Sequence, residues 1–165
     1  MSSYLETAIE IAREASDLLR DYASRNIGFE LKGEHDLVTA ADRASESLIV
    51  KRLQESYPSH SIVAEEGGGH EASSNFRWYV DPLDGTTNFA HGFPAYNVTL
   101  ALEQAGELIA GVVADPTRDE IFSAERGSGA FLNGGRIQFE GSAADLRTSS
   151  DRYVREFLFM TLPPW

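Results

Sequence analysis

The chain has no cysteine, which excludes a disulfide framework, a thiolate zinc site and a thiol nucleophile. Any metal is left to oxygen or imidazole ligands, so hard cations are the expected guests. Basic residues are scarce: 14 Lys and Arg stand against 26 Asp and Glu, a formal charge of −12. That field repels a phosphodiester backbone, and nucleic acid is not expected as a partner. An anionic substrate would need a local cation, from a basic pocket or a bound metal. Long hydrophobic runs are missing too. The longest nearly apolar stretch, residues 108–114, is strand-sized, and the N-terminal segment MSSYLETAIEIAREASDLLRDYASR carries charge in every turn, unlike a signal peptide or membrane anchor. A soluble, cytoplasmic protein without a membrane partner is the expectation. What is present is ordinary for a globular domain, at 42% hydrophobic and 24% charged over 165 residues, enough to bury a core and unlike a disordered or coiled-coil chain.

From Leu5 the apolar positions Ala8, Ala12, Ala15, Leu19 and Tyr22 recur at three and four, which predicts an amphipathic helix, with Ser3 and Glu6 as a capping box at its start. A second helix is expected over about 41–56, with Ala44, Leu48, Ile49 and Leu53 facing inward and Pro58 beyond its end. Between the two, residues 28–38 read as a hairpin or irregular strand pair. Past Pro58, short runs rich in β-branched and aromatic residues predict strands at 62–65, 78–80, 98–104, 108–114, 120–124 and 130–132. Short connections at 105–107 and 116–119 make the central strands an antiparallel meander. The expected fold is therefore α+β, two N-terminal helices packed on a mainly antiparallel sheet. Residues 67–75 are polar and glycine-rich and read as an exposed loop. There are no internal repeats. Residues 153–160 fit a short helix or a strand. The aromatic end at Trp165 either packs on the domain's own core or is covered by something that follows.

The segment Asp81-Pro82-Leu83-Asp84-Gly85-Thr86-Thr87-Asn88-Phe89 carries the most chemistry. It sets two carboxylates three residues apart at a strand end. Pro82 restrains one backbone angle and Gly85 frees another, so the chain can turn and aim both carboxylates, with the Leu83 carbonyl, at one point. Those are hard-cation ligands. The amides of Gly85 and Thr86 can open a short helix toward an anion such as phosphate. The same segment is also simply a good turn sequence. Glu65-Glu66, at the end of another predicted strand, adds a second carboxylate pair. Only one of the two should reach Asp81, because adjacent strand side chains point to opposite faces. Three converging carboxylates repel one another and call for a divalent cation. In Lys32 to Glu46, the residues Asp36, Thr39 and Asp42 either contribute to this site or serve as helix-start residues. His91 follows the motif closely, as a substrate contact or a surface hydrogen-bonder. His35, His60 and His70 have no ligand spacing, which argues against zinc.

These segments, in this order, resemble the inositol monophosphatase family of magnesium-dependent, lithium-sensitive phosphatases. Asp81, Pro82, Asp84, Gly85, Thr86, Asn88 and Phe89 all match family positions within nine residues, a coincidence on the order of 10⁻⁹ at average residue usage. Asp36-Leu37-Val38-Thr39 with Asp42, Glu65-Glu66, Phe93-Pro94 and Gly129-Ala130-Phe131-Leu132-Asn133-Gly134 also stand where members have similar runs. The resemblance covers roughly Leu5 to Phe139. It implies the first half of a layered sugar-phosphatase fold, with Glu65, Asp81, the Leu83 carbonyl and Asp84 as magnesium ligands and Asp81 bridging two ions. It also implies Gly85 and Thr86 amides on the substrate phosphate. Asp42 would bond the Thr86 hydroxyl, which with Glu65 and a magnesium ion would orient and deprotonate the attacking water. Lys32 stands one residue off the position of a basic residue near the family's site.

Family members are longer, and their second half carries a Trp-Asp motif that completes a second metal site. No such motif occurs here, and neither Asp145 nor Asp151 has its context. The expected organisation is a metal-binding α+β domain over 1–140 and an atypical segment over 141–165, with the family's C-terminal domain absent. Three functions remain open. One is a Mg²⁺-dependent phosphomonoesterase acting on inositol monophosphate, or on histidinol phosphate, a sugar phosphate or a 3'-phosphoadenosine-type nucleotide. Another is an impaired homologue that still binds a divalent cation. The third is an interaction module, a homodimer included, that pairs through exposed strand edges.

Overall fold

The computed structural model describes residues 2–25, 34–65 and 69–137, with the backbone alone for 34–39. Helix α1 (Ser3–Arg25) turns Leu5, Ala8, Ile11, Ala12, Ala15 and Leu19 inward along one face. Its cap lies one residue earlier than predicted. The Ser2 hydroxyl accepts the Leu5 N–H at 3.4 Å and the Ser2 carbonyl accepts the Glu6 N–H at 3.2 Å. Glu6 thus sits one position too far along for the predicted box with Ser3.

Helix α2 (Glu34–Ser56) is longer than expected. It starts at Glu34 rather than near Ala41, so residues 34–38 are helical and not part of a hairpin; the rest of that predicted hairpin lies outside the described residues. Glu34 and Asp36 suit the positive end of a helix, and the apolar pair Leu37-Val38 had imitated a strand. The inner face of α2 holds Ala41, Ile49, Val50 and Leu53, with Ala44 and Leu48 half-buried. It also buries three polar residues, Asp42, Ser45 and Glu46.

The sheet runs β1 (Ser61–Ala64), β2 (Phe76–Asp84), β3 (Asn97–Gln104), β4 (Glu107–Asp115), β5 (Glu120–Glu125), β6 (Gly129–Leu132) and β7 (Gly135–Arg136), with the short helix α3 (Thr86–Ala90) between β2 and β3. Spatial order equals chain order; β1 is parallel to β2 and every later neighbour is antiparallel. The expected meander and mainly antiparallel α+β class are found. Ala105 and Gly106 make the β3–β4 turn with φ of 52° and 88°, the positive pair that lets a tight hairpin follow the strands' twist. Asn133 and Gly134 repeat this at 48° and 80° and add β7, a strand not anticipated from the sequence. Strand β2 is also longer than the expected 78–80. Its ladder to β3 shifts register between Asp81 and Asp84, so Pro82 sits in an irregularity where no ladder N–H is required.

Both long helices lie on one face of the sheet, α1 over β3, β4 and β5 and α2 over β1 and β2. They cover Ile62, Trp78, Val80, Val98, Leu100, Leu102, Val112, Ala114 and Ile121; each large apolar side chain buried this way contributes about 1.5–3 kcal/mol. The alternating residues face the other side. There Val63 is 47% and Phe122 39% exposed, because no described helix covers that face. Among the described residues, no helix is long and apolar enough to cross a membrane.

His60 belongs to the core. Its ring stacks on Tyr57 at 4.9 Å and Phe76 at 4.5 Å, and its Nδ1 accepts the Trp78 indole N–H at 3.1 Å. An accepting Nδ1 carries no proton, and burial holds the imidazole below its ordinary value of 6.5. The unfolded chain therefore binds the proton more readily, and this part of the stability is complete above about pH 6.5 and is lost as pH falls through the folded value. Urea midpoints at about pH 7.5 and about pH 5.5 should fall more steeply for the native chain than for His60→Gln; equal slopes would contradict a buried neutral His60.

Candidate functional site

Alternation along β2 puts Arg77, Tyr79 and Asp81 on the helix-free face, opposite buried Trp78 and Val80. Past Asp81 the strand dips into the core: Pro82 and Leu83 are buried, and Asp84 emerges exposed. The buried Ser45 hydroxyl of α2 donates to the Pro82 carbonyl at 2.9 Å. The Leu83 N–H donates to Asp81 Oδ1 at 3.3 Å, so the turn holds its own first carboxylate. On the neighbouring strand, the register Ala64↔Val80 places Glu65, the residue after β1, beside Asp81.

The electrostatics record this crowding. Burial, then the charges of Glu65 and Asp84, push the Asp81 carboxyl above its ordinary value, and the Leu83 N–H only partly offsets them. Carboxylate oxygens with a backbone carbonyl between them, and no sulfur, fit a hard divalent cation by charge and donor type. Among the described residues, no group of three His, Cys, Asp or Glu side chains forms a ready metal cage. The structure thus holds mutually repelling carboxylates in electrostatic reach of one another. Of the predicted pair, Glu65 is the member shown near Asp81; Glu66 lies outside the described residues.

Beyond Asp84 the chain turns through Gly85, whose φ is 85° and which caps α3; its carbonyl accepts the Phe89 N–H at 3.0 Å. A Cβ here would lie 2.9 Å from the Ala95 carbonyl oxygen. Thr86 is the exposed first residue of α3, where backbone amides have no partner within the helix. Asn88 closes the following loop by donating its amide to the Ala95 carbonyl at 2.8 Å. Asp42 is buried on α2 one turn before Ser45, and α2 packs against α3. His91 is exposed at the end of α3. Lys32, Asp145, Asp151 and the segment 141–165 are outside the described residues, as are the side chains of His35, Asp36 and Thr39.

Three contributors were not foreseen. Ser45 looks like an ordinary helix residue in the sequence. Asn97 and Thr99 look like the solvent side of a strand, yet Asn97 Nδ2 donates to Asp84 Oδ2 at 2.9 Å and the Thr99 hydroxyl donates to Asn97 Oδ1 at 2.8 Å. The period-two pattern of β3 was the available signal, since it puts residues 97 and 99 on one face.

The family model described as the inositol monophosphatase family matches residues 1–159. An inositol-1-monophosphatase from Mesorhizobium japonicum is 42% identical over 143 residues, covering 85% of this chain and 54% of that protein. The Nus factor SuhB of Pseudomonas aeruginosa is 44% identical over 146 residues, covering 86% and 54%. Among solved structures, the extragenic suppressor protein SuhB from Bartonella henselae superposes with a TM-score of 0.75 at 37% identity, over 86% of this chain and 56% of that one. SaIMPase-II, solved with inositol monophosphate bound, gives 0.72 at 27% identity, over 86% and 51%, and with 2'AMP bound 0.70 at 28%, over 84% and 50%. The fold is thus that of a phosphatase family. The chain belongs to the inositol monophosphatase family, and it spans about half the length of the curated relatives it matches.

Gly85→Ala should lower unfolding stability by about 2 kcal/mol, because it combines a left-handed backbone with a clash against backbone. An unchanged denaturation midpoint would contradict the tight turn.

Proposed function

We propose that the chain serves Mg²⁺-dependent hydrolysis of a phosphate monoester, with inositol monophosphate cleaved to inositol and phosphate as the first substrate. The observation that carries this reading is the Asp81 turn, with Glu65 and Asp84 close enough to raise the Asp81 carboxyl and Gly85 leading into α3. In this reading Glu65, Asp81, the Leu83 carbonyl and Asp84 are the residues that would hold magnesium. When bound, the ions neutralise the phosphate and supply Lewis acidity for in-line displacement. The backbone amides of Gly85 and Thr86 hold phosphate oxygens. The Asp42 carboxylate accepts the Thr86 hydroxyl proton in a hydrogen bond, and Thr86 with Glu65 orients the attacking water and draws off its proton. Family membership and a relative solved with inositol monophosphate support the substrate class. The relative's complex with 2'AMP favours a nucleotide monophosphate as second substrate. A second reading, cation binding without turnover, rests on the same carboxylates alone, Glu65 and Asp84 beside Asp81.

Phosphate release from inositol 1-phosphate should require Mg²⁺ and vanish in Asp84→Asn. Loss of an outer partner alone costs about 10–100-fold, and loss of a ligand should cost more. Mg²⁺ binding by calorimetry with no turnover at any magnesium concentration would sink the hydrolase reading and leave the second one.

A further inference from the structure

Asp84 is exposed and on its own would rotate freely, yet its orientation is set from the neighbouring strand. The cross-strand partners are Asp84↔Asn97 and Asp81↔Thr99, so each aspartate of the turn faces one residue of β3. Asn97 Nδ2 donates to Asp84 Oδ2 at 2.9 Å. An asparagine amide can present either end, and its Oδ1 turned toward a carboxylate would repel it. The Asp84 carboxylate only accepts and so takes the donor end of the amide, and the Thr99 hydroxyl supports that orientation by donating to Asn97 Oδ1 at 2.8 Å. The sequence Thr99 to Asn97 to Asp84 is therefore directional.

We propose that Asn97 and Thr99 are positioning residues that make Asp84 a one-oxygen ligand and so bias the site toward Mg²⁺ over Ca²⁺. The proposal rests on Asp84 being a cation ligand, as in the function proposed above. With Oδ2 engaged by the Asn97 amide, Oδ1 is the oxygen left to a cation. Mg²⁺ is small and demands near-octahedral geometry, which single carboxylate oxygens supply; Ca²⁺ is larger and readily takes both oxygens of one carboxylate. An amide on one oxygen therefore disfavours the Ca²⁺ mode and orders the carboxylate for the Mg²⁺ mode.

The test is calorimetric titration of the full chain with MgCl₂ and with CaCl₂, for the native sequence, Asn97→Ala, Thr99→Val and Thr99→Ser, with thermal midpoints confirming that each variant is folded. Asn97→Ala should weaken Mg²⁺ binding about tenfold and Ca²⁺ binding less, so the preference narrows. Thr99→Val should move both affinities in the same direction, and Thr99→Ser, which keeps the hydroxyl, should behave as the native chain does. Native binding of Mg²⁺ with the same affinity and the same preference in Asn97→Ala would overturn the positioning role alone. A native chain that binds neither cation would overturn the metal reading, and this proposal with it.

Discussion

The hydrogen bond from the buried Ser45 hydroxyl to the Pro82 carbonyl, 2.9 Å long, joins the second helix to the one stretch of β2 that leaves its regular ladder. Proline brings no N–H to a sheet, and the register shift between Asp81 and Asp84 interrupts the pairing around it. A carbonyl buried there without a donor would cost about 1–3 kcal/mol. Ser45 supplies that donor from the helix side. With Pro82 and Leu83 held in the core, the aspartates on either side are carried on the backbone of a buried segment, which is a firmer mount than a free loop would offer.

That mount concentrates charge. The overall excess of acid, −12, is spread mostly over solvated surface, where like charges are screened within about 10 Å at ordinary salt. Around Asp81 the excess is local, and part of it is withdrawn from water, which is why burial heads the causes raising that carboxyl, ahead of Glu65 and Asp84. Repulsion of this kind opposes the compact cation-free form and favours whatever cation enters. In the proposed reading, a chain whose net field turns away phosphates thereby gains a place where a phosphate can be received.

The sheet was legible from the sequence because its strands alternate cleanly and their turns carry Gly, Asp and Pro at the required places. Ala105-Gly106 and the span from Pro116 to Asp119 marked the meander. The first helix was legible from its apolar face, but its cap was misplaced by one residue because Ser2 and Ser3 are chemically alike. The second helix was harder to read because its buried face includes Asp42, Ser45 and Glu46, which an apolar period cannot show. In the site, Asp81, Asp84 and Glu65 stood out as carboxylates at strand ends. Asn97 and Thr99 did not, because an outward polar residue on a strand is unremarkable until its cross-strand partner is known. Pairing register is a tertiary fact, and the shift between Asp81 and Asp84 is what sets Asn97 against Asp84.

If Glu65, Asp81 and Asp84 converge on a divalent cation, Mn²⁺ will occupy the same place as Mg²⁺. Anomalous diffraction from crystals of the chain grown with Mn²⁺ in place of Mg²⁺ tests it most directly. The expected result is an anomalous peak bounded by the Glu65, Asp81 and Asp84 carboxylates, with the Leu83 carbonyl turned toward it. A peak elsewhere on the chain, or none at saturating Mn²⁺, would contradict it.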